Sequence, residues 1–528
     1  MGNIAQEAIH DLINNPDFRA GVAGIQKAGA ADTFSTGANG QQLVWYDLEP
    51  TVKFLYPYGP EFTPLILGDP SRGIPALPRV QANGGTATHW KTITKINSGN
   101  VTGGVERGKR GGVIAVDSND MNAPFVGMGL EAAADFETRY ENGELDPENI
   151  AIAVQSALRS LIIYEEKALI FGNASLALMA GAATPTPTVT DGASSGGTMT
   201  TVTTLYVICV ALTGEGYALA GPSGPVVQTV ARTNADGSST TVNGGTARKS
   251  AEGSGGLTSS HTMLASVVPV SGAVAYAWFW GATGATVLGA ITTVNSIEIK
   301  ADAALTQTAA SLAATDYSKN SLVPDGIITQ MLGQSFGAAS NSYVKTMATG
   351  SGQGTVSGKI GIGTGLTTDS NGGIVEFDAA FLDRYNNYRL GFDRILCNPQ
   401  EAININIHAL NGSSSAMTSL FRFNYEEQAK GMTAGRRVIA YHNKFTGKDL
   451  DIVVHPFIPA GTIIFWSDRV PYSLSNVANI LQAKVRQGYY QIEWPLTTRQ
   501  YQFGVYVDEA FENYFTPAFG IIQNVGNI

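Results

Sequence analysis

The side chains able to do chemistry are few, and their spacing does not favour it. Histidine is the residue best suited to moving protons or holding a metal near neutral pH, and the chain has His10, His89, His261, His408, His442 and His455. No two of them stand at i, i+4, so no helix face offers a pair of imidazoles to one ion, and solvated or packed rings are expected. Cys209 and Cys397 fit no metal-ligand spacing and are expected to be buried, small apolar residues rather than a secretory disulfide. Gly361-Ile362-Gly363-Thr364-Gly365 lacks the third glycine of a dinucleotide loop and sits in no strand-helix-strand unit. Gly412-Ser413-Ser414-Ser415 has neither the flanking glycines nor the strand-to-helix turn of a serine nucleophile. Glu165 and Glu166 are adjacent on a helix, so their carboxylates point apart and are expected to form salt bridges. These residues imply no enzyme, no cofactor and no metal.

The elements that carry these residues are more informative. At 528 residues the chain is too long for one ordinary core. Charged residues make up 14%, well below the usual quarter or so, and glycine is abundant at 61. A surface so poor in charge is expected to be covered by other subunits. The net charge of −10 excludes a protein that coats nucleic acid through clustered lysine and arginine. The start, Met1 to His10, carries early acid and no apolar run, so it is not a signal peptide, and Gln6 stands where a myristoylation signal needs Ser or Thr.

Composition changes near residue 173. From Ala174 to Thr308 the chain turns to Thr, Ser, Gly and Ala with about ten charged residues. This marks an inserted module on a discontinuous domain, expected to fold independently from about residue 178 to 310. Met263 to Ile291 is uncharged, but Pro269, Ser271-Gly272 and Gly281 to Gly284 interrupt it. Val274, Tyr276, Trp278 and Trp280 alternate with Ala273, Ala275, Ala277 and Phe279, which is a strand with a heavy and a light face. No membrane span is expected there.

Before the insert, Ile4, Ala8, Ile9, Leu12 and Ile13 share a helical face that Asn15-Pro16 ends. Asp47 to Val80 is proline-rich, extended and unable to build its own core. Thr86 to Ile96 and Gly111 to Val116 are expected as the strands of a long two-stranded arm whose tip carries Arg107, Lys109 and Arg110. Asp146 is a cap and Pro147 a first-turn residue for a helix of about seven turns, which Gly172 stops. After the insert, Asp378 is expected to cap a helix and Asn398-Pro399 to open another. Leu450 to Val454, Thr462 to Trp466, Tyr489 to Trp494 and Tyr501 to Val507 are expected strands.

The helix end Tyr164-Glu165-Glu166-Lys167-Ala168-Leu169-Ile170-Phe171-Gly172-Asn173 resembles the spine helix of tailed-phage major capsid proteins of the Hong Kong 97 type. His455 to Phe465, with Pro459-Ala460-Gly461-Thr462, is similar to that family's late strand, and Val507-Asp508-Glu509-Ala510-Phe511 with Pro517-Ala518-Phe519 is similar to its closing segment. The resemblance covers residues 1 to 173 and 313 to 528. Inside the insert, Ser271 to Trp280 resembles the Tyr-x-Trp strand of fibronectin type III and immunoglobulin-like domains.

This resemblance implies an α+β fold. Its parts are an N-terminal arm (1–80), an extended hairpin loop (81–125), a peripheral domain with the spine helix (126–175), an immunoglobulin-like β-sandwich (176–312), an axial domain (313–470) and a C-terminal return (471–528). It implies a virion protein assembled in the host cytoplasm into pentamers and hexamers of an icosahedral head around double-stranded DNA, without sequence-specific contact. Portal, scaffold and cement proteins are implied partners, with weak host-surface glycan contact through the insert and no membrane. Arg107, Lys109 and Arg110 then suit acidic surface on an adjacent subunit, near Glu131, Asp135 and Glu137. Two other readings fit the same residues, an encapsulin-like nanocompartment shell and a surface adhesin with an immunoglobulin-like module.

Overall fold

The structure, a computed structural model, describes residues 62–96, 103–114, 116–137, 149–199, 203–333, 341–349, 363–369, 372–410, 438–496 and 499–526. The chain divides into two units, residues 1–54 with 141–148 and residues 55–140 with 149–528, and every described residue belongs to the second. The helix expected near Ile4 to Ile13, the cap at Asp146-Pro147, Gly361-Ile362 and Gly412 to Ser415 lie outside the described residues.

In chain order the first elements are β1 (Arg79–Gln81), β2 (Ala87–Ile96), β3 (Val116–Pro124), β4 (Val126–Asp135) and helix α1 (Asn149–Phe171). The inserted stretch supplies β5 (Thr188–Ser195), β6 (Thr204–Leu212), α2 (Gly214–Ala220), β7 (Thr229–Thr233), β8 (Ser239–Asn243), β9 (Gly253–Gly256), β10 (His261–Ser266), β11 (Ala275–Gly281), β12 (Val287–Thr292) and β13 (Ser296–Ile299). Then come α3 (Ile327–Leu332), β14 (Tyr343–Thr346), α4 (Val375–Tyr388), β15 (Arg394–Cys397), α5 (Pro399–Leu410), β16 (Ala440–His442), β17 (Asp449–Val454), β18 (Ile463–Trp466), β19 (Leu481–Glu493), β20 (Gln500–Asn513) and β21 (Phe519–Gln523). The architecture is mixed α+β.

Two sheets build the body. A four-stranded sheet runs β1-β19-β20-β4, and a six-stranded sheet runs β14-β21-β18-β15-β17-β16. Along β4 and β20 the α1 side is apolar: Met128, Val505, Val507 and Phe511 join Ala157, Leu161, Ala168 and Leu169 of α1 in one core. The proline-rich segment has no core of its own; Leu65, Ile66, Ile74 and Leu77 enter this same core, and β1 pairs in parallel with β19. The second core lies on the six-stranded sheet, where Phe377 and Phe381 of α4 pack edge-on against Phe465.

Several local expectations shift. The return strand of the hairpin is β3, not Gly111 to Val116, because Met121 and Ala123 are the residues that share a core with Trp90, while Val113 is 92% exposed. Helix α4 begins at Val375, and Asp378 lies inside its first turn, bonded to Lys444 Nζ at 2.6 Å. Gly172 ends α1 through close approach rather than a left-handed turn: a Cβ there would lie 2.0 Å from the carbonyl oxygen of Pro324. Strands β19 and β20 run longer than their aromatic segments alone suggest.

The insert has two sheets, β13-β10-β5 and β12-β11-β6-β9, with β7 and β8 forming a separate hairpin. Tyr276, Trp278 and Trp280 fill the space between the sheets with Met263, Ile297 and Cys209. The light face of β11 is buried as well, since Ala277 and Phe279 pack with Tyr217, Ala220, Leu305 and Leu312 outside the sheet. Small residues on that face leave room for the connecting segments. No helix among the described residues is long and apolar enough to cross a membrane.

The ends of the insert meet. Asn320 N–H donates to the Asn173 carbonyl, and Asn173 Nδ2 donates to the carbonyls of Leu176 and Ser318, each at 2.8 Å. The insert also bonds to the six-stranded body. Asn295 N–H donates to Asn524 Oδ1 at 2.8 Å, and Asn295 Nδ2 donates to Thr349 Oγ1 at 2.7 Å.

Candidate assembly surface

The hairpin β2–β3 is fixed at its base and open beyond it. Trp90 meets the Tyr514 ring edge-on at 6.1 Å, Met121 and Ala123 pack against Ala510, and the Thr88 hydroxyl donates to the buried Glu512 carboxylate. Gln482 Nε2 and the Tyr514 hydroxyl also donate to Glu512, at 2.7 and 3.1 Å. Farther out, Ile93, Val105, Val113, Ile114 and Val116 are all more than half exposed. These apolar side chains lie open beyond the anchored base.

Arg107, Lys109 and Arg110 lie in the loop between the strands, all exposed. Lys109 pairs with Glu106 three residues before it. The acids fall elsewhere. Glu131 and Asp135 stand on the exposed face of β4, which forms one edge of the four-stranded sheet, and Glu137 follows the strand. Each already has a partner within the chain: Glu131 accepts from the Tyr506 hydroxyl, Asp135 from Gln500 Nε2 at 2.7 Å, and Glu137 pairs with Arg499.

Around Glu131 the sheet face is shaped by two glycines. A Cβ at Gly129 would stand 2.0 Å from the Tyr506 ring and one at Gly504 would stand 2.3 Å from it, so the ring lies flat across both. Tyr490 stacks on it at 5.7 Å. Burial and the Glu131 carboxylate push the Tyr506 phenol up to about 12. Sequence reading found the acids but not this platform, because the glycines that permit it sit on different strands.

The side chains of Glu165 and Glu166 do diverge, and both are fully buried. Glu166 accepts from the Leu65 and Ile66 N–H groups at 3.0 and 2.8 Å and from His455 Nε2 at 2.8 Å. His455 Nδ1 accepts the Phe457 N–H at 3.2 Å, which fixes the hydrogen on Nε2. Glu165 pairs with Arg79 and accepts from the Tyr489 hydroxyl, while Arg79 also reaches Glu509 Oε2 at 2.9 Å. His455 was expected only as a packed or solvated ring; its carboxylate partner is 289 residues away in sequence.

A groove of about 990 Å³ runs between Leu65 to Pro78 and the stretch from Trp466 to Pro471. Of the four cations that line it, Arg389, Arg394, Lys448 and Arg469, Arg394 is bound to Asp468 and Lys448 to Asp393. Among the described residues no cluster of His, Cys, Asp and Glu has the arrangement of a metal site. The thiols of Cys209 and Cys397 are both buried.

No protein-family model matches the sequence, and no curated protein does. Among solved structures, the chain is similar to the capsid of a native GTA particle, with 9% identity and a TM-score of 0.41 over 93% of this chain and 98% of that one. It is similar to a Gordonia phage Cozz structure at 9% identity and a TM-score of 0.38, covering 94% and 96% of the two chains. The capsid of Myoviridae phage XM1 gives 8% identity and a TM-score of 0.35 over 91% and 97%.

Proposed function

We propose that this chain is the major capsid protein of a tailed double-stranded DNA bacteriophage, a structural rather than catalytic subunit that closes with copies of itself into an icosahedral head of the Hong Kong 97 type. The observation that carries the reading is the hairpin β2–β3, anchored at Trp90 and Thr88 and exposing Ile93, Val105, Val113, Ile114 and Val116 beyond. An apolar arm of this kind needs a second copy to cover it. The low charge of the chain and the order of arm, long helix and paired sheets support the same reading.

Arg107, Lys109 and Arg110 are then contacts to the acidic strand of a neighbour at Glu131, Asp135 and Glu137. The insert is an immunoglobulin-like module. Its strand order supports this: β5 pairs with β10 as strands B and E do, and β6, β11 and β12 lie together as C, F and G do. Its turn at Asn234 to Ser239 is where weak glycan contact would fall; the other expected loop, Asn243 to Gly256, is buried at Gly244 to Ala247 and ends in β9, so it offers less open surface, and passive stabilisation of the shell is the simpler role. Portal, scaffold and cement proteins are the further partners of such a head.

Negative-stain microscopy of the expressed protein tests the reading, with closed shells as the expected result. Replacing Arg107, Lys109 and Arg110 by Glu should weaken assembly, most at low salt. A wild-type protein that stays dispersed at every concentration and salt would overturn the shell reading. Shells that form equally well from the triple variant would overturn only the assigned contact.

A further inference from the structure

Four elements converge on one cluster of charge between α1 and the four-stranded sheet. Arg79 comes from β1, Glu165 from α1, Tyr489 from β19 and Glu509 from β20. Glu165 and Glu509 are both fully buried, and Arg79 Nη1 and Nη2 divide between them. The Tyr489 hydroxyl donates to Glu165 and accepts from Arg79 Nη2 at 2.7 Å, and the Arg79 guanidinium lies over the Tyr489 ring at 4.7 Å. Two buried carboxylates therefore share one cation. Glu509 Oε1 has no donor, although it is buried and its carboxyl lies within hydrogen-bonding reach of Glu165.

A buried carboxylate oxygen without a donor is costly when its neighbour is another carboxylate. One proton resolves both problems, because a carboxylic acid at Glu509 could donate to Glu165 and leave a single negative charge facing Arg79. Burial first, and the Glu165 charge second, hold the Glu509 carboxyl well above its ordinary value of 4.5. Arg79, Tyr489, Glu165 and Glu509 are the titratable groups that face one another across these four elements.

We infer that this cluster is a proton-operated joint between α1 and the four-stranded sheet: it closes when the carboxylate pair holds one proton and loosens when that proton leaves. The folded state keeps the proton to higher pH than the unfolded chain does. Its contribution to stability is therefore complete below the ordinary carboxylate range and disappears as pH rises through the folded value. Both carboxylates then compete for Arg79, and the sheet and helix that share it separate more easily. The device acts within one chain and does not depend on the shell reading.

The test is hydrogen exchange of the dispersed full-length chain, followed by mass spectrometry across residues 157–171 and 503–513, from pH 5.5 to 9.5 after correction for intrinsic exchange. In the wild type the opening equilibrium should rise with pH, by up to about tenfold per unit for one linked proton. Glu509→Gln should be flat over the same range, since the amide supplies the donor permanently. Glu165→Gln serves equally if the first variant does not fold, because the proton belongs to the pair. Tyr489→Phe should keep the slope. A flat wild type, a slope that persists in both Gln variants, or one that vanishes with Tyr489→Phe would each overturn the inference.

Discussion

Glu166 holds the proline-rich segment onto α1, and its removal should be costly in a calculable way. Three buried donors converge on it, the N–H groups of Leu65 and Ile66 and Nε2–H of His455. In Glu166→Ala each loses its acceptor in a site that water does not reach, at about 1–2 kcal/mol per orphaned donor, so the total is about 3–6 kcal/mol. Glu166→Gln keeps one acceptor oxygen but turns an amide NH₂ towards the remaining donors, so it should lose about half as much. The loss is local, because the backbone N–H groups of Leu65 and Ile66 both meet α1 at the Glu166 carboxylate. Hydrogen exchange of a peptide spanning residues 63–68 should therefore accelerate by about two to four powers of ten in Glu166→Ala, at 1.4 kcal/mol per factor of ten. Exchange within threefold of wild type, with an unchanged denaturation midpoint, would refute the claim that these three bonds hold the segment.

Other expectations follow from single contacts. Trp278 is fully buried, with Nε1 donating to Thr292 Oγ1 at 2.8 Å, so Trp278→Ala should destabilise the insert by about 3–5 kcal/mol in a denaturant titration followed by tryptophan emission. Gly129→Ala drives a Cβ into the Tyr506 ring and should cost about 1–3 kcal/mol, whereas adding Tyr506→Ala removes the collision, so the double variant should melt above the sum of the two single changes. Asn295→Ala should leave the Thr349 hydroxyl and the Val267 carbonyl unbonded and speed proteolysis near Gln523 to Val525, while the core around Trp278 stays protected.

What the sequence made legible was the periodic part. The 3.6-residue spacing of Ile150, Val154, Leu158 and Leu161 marks α1, and the alternation of Tyr276, Trp278 and Trp280 with smaller residues marks β11, because each pattern is a local record of which side chains share a face. The hairpin was legible as a hairpin, but its return strand was placed too early: Val113 and Ile114 look like strand residues, and only Trp90 on the facing strand explains why Met121 and Ala123 are the buried ones. Charge clusters were the least legible. Nothing near Glu165 in sequence announces Arg79 or Glu509, and nothing near Glu166 announces His455, because those partners are brought in by sheet register. The insert was visible through composition, yet composition could not say that Asn295 and Asn524 tie it to the body.

The four-stranded sheet has a consequence for how the chain comes off the ribosome. Its outer strands are made early, β1 at Arg79–Gln81 and β4 at Val126–Asp135, and both pair only with β19 and β20, which begin at Leu481 and Gln500. Gln500 and Asp135, bonded across this sheet, are 365 residues apart in the chain. At about 5–20 residues per second, the early strands wait tens of seconds or more for their partners, with the apolar face of α1 uncovered meanwhile. The base of the hairpin waits too, since Tyr514, Ala510 and Glu512 belong to that same late strand and its margin. The hairpin therefore has no fixed base until β20 has been synthesised.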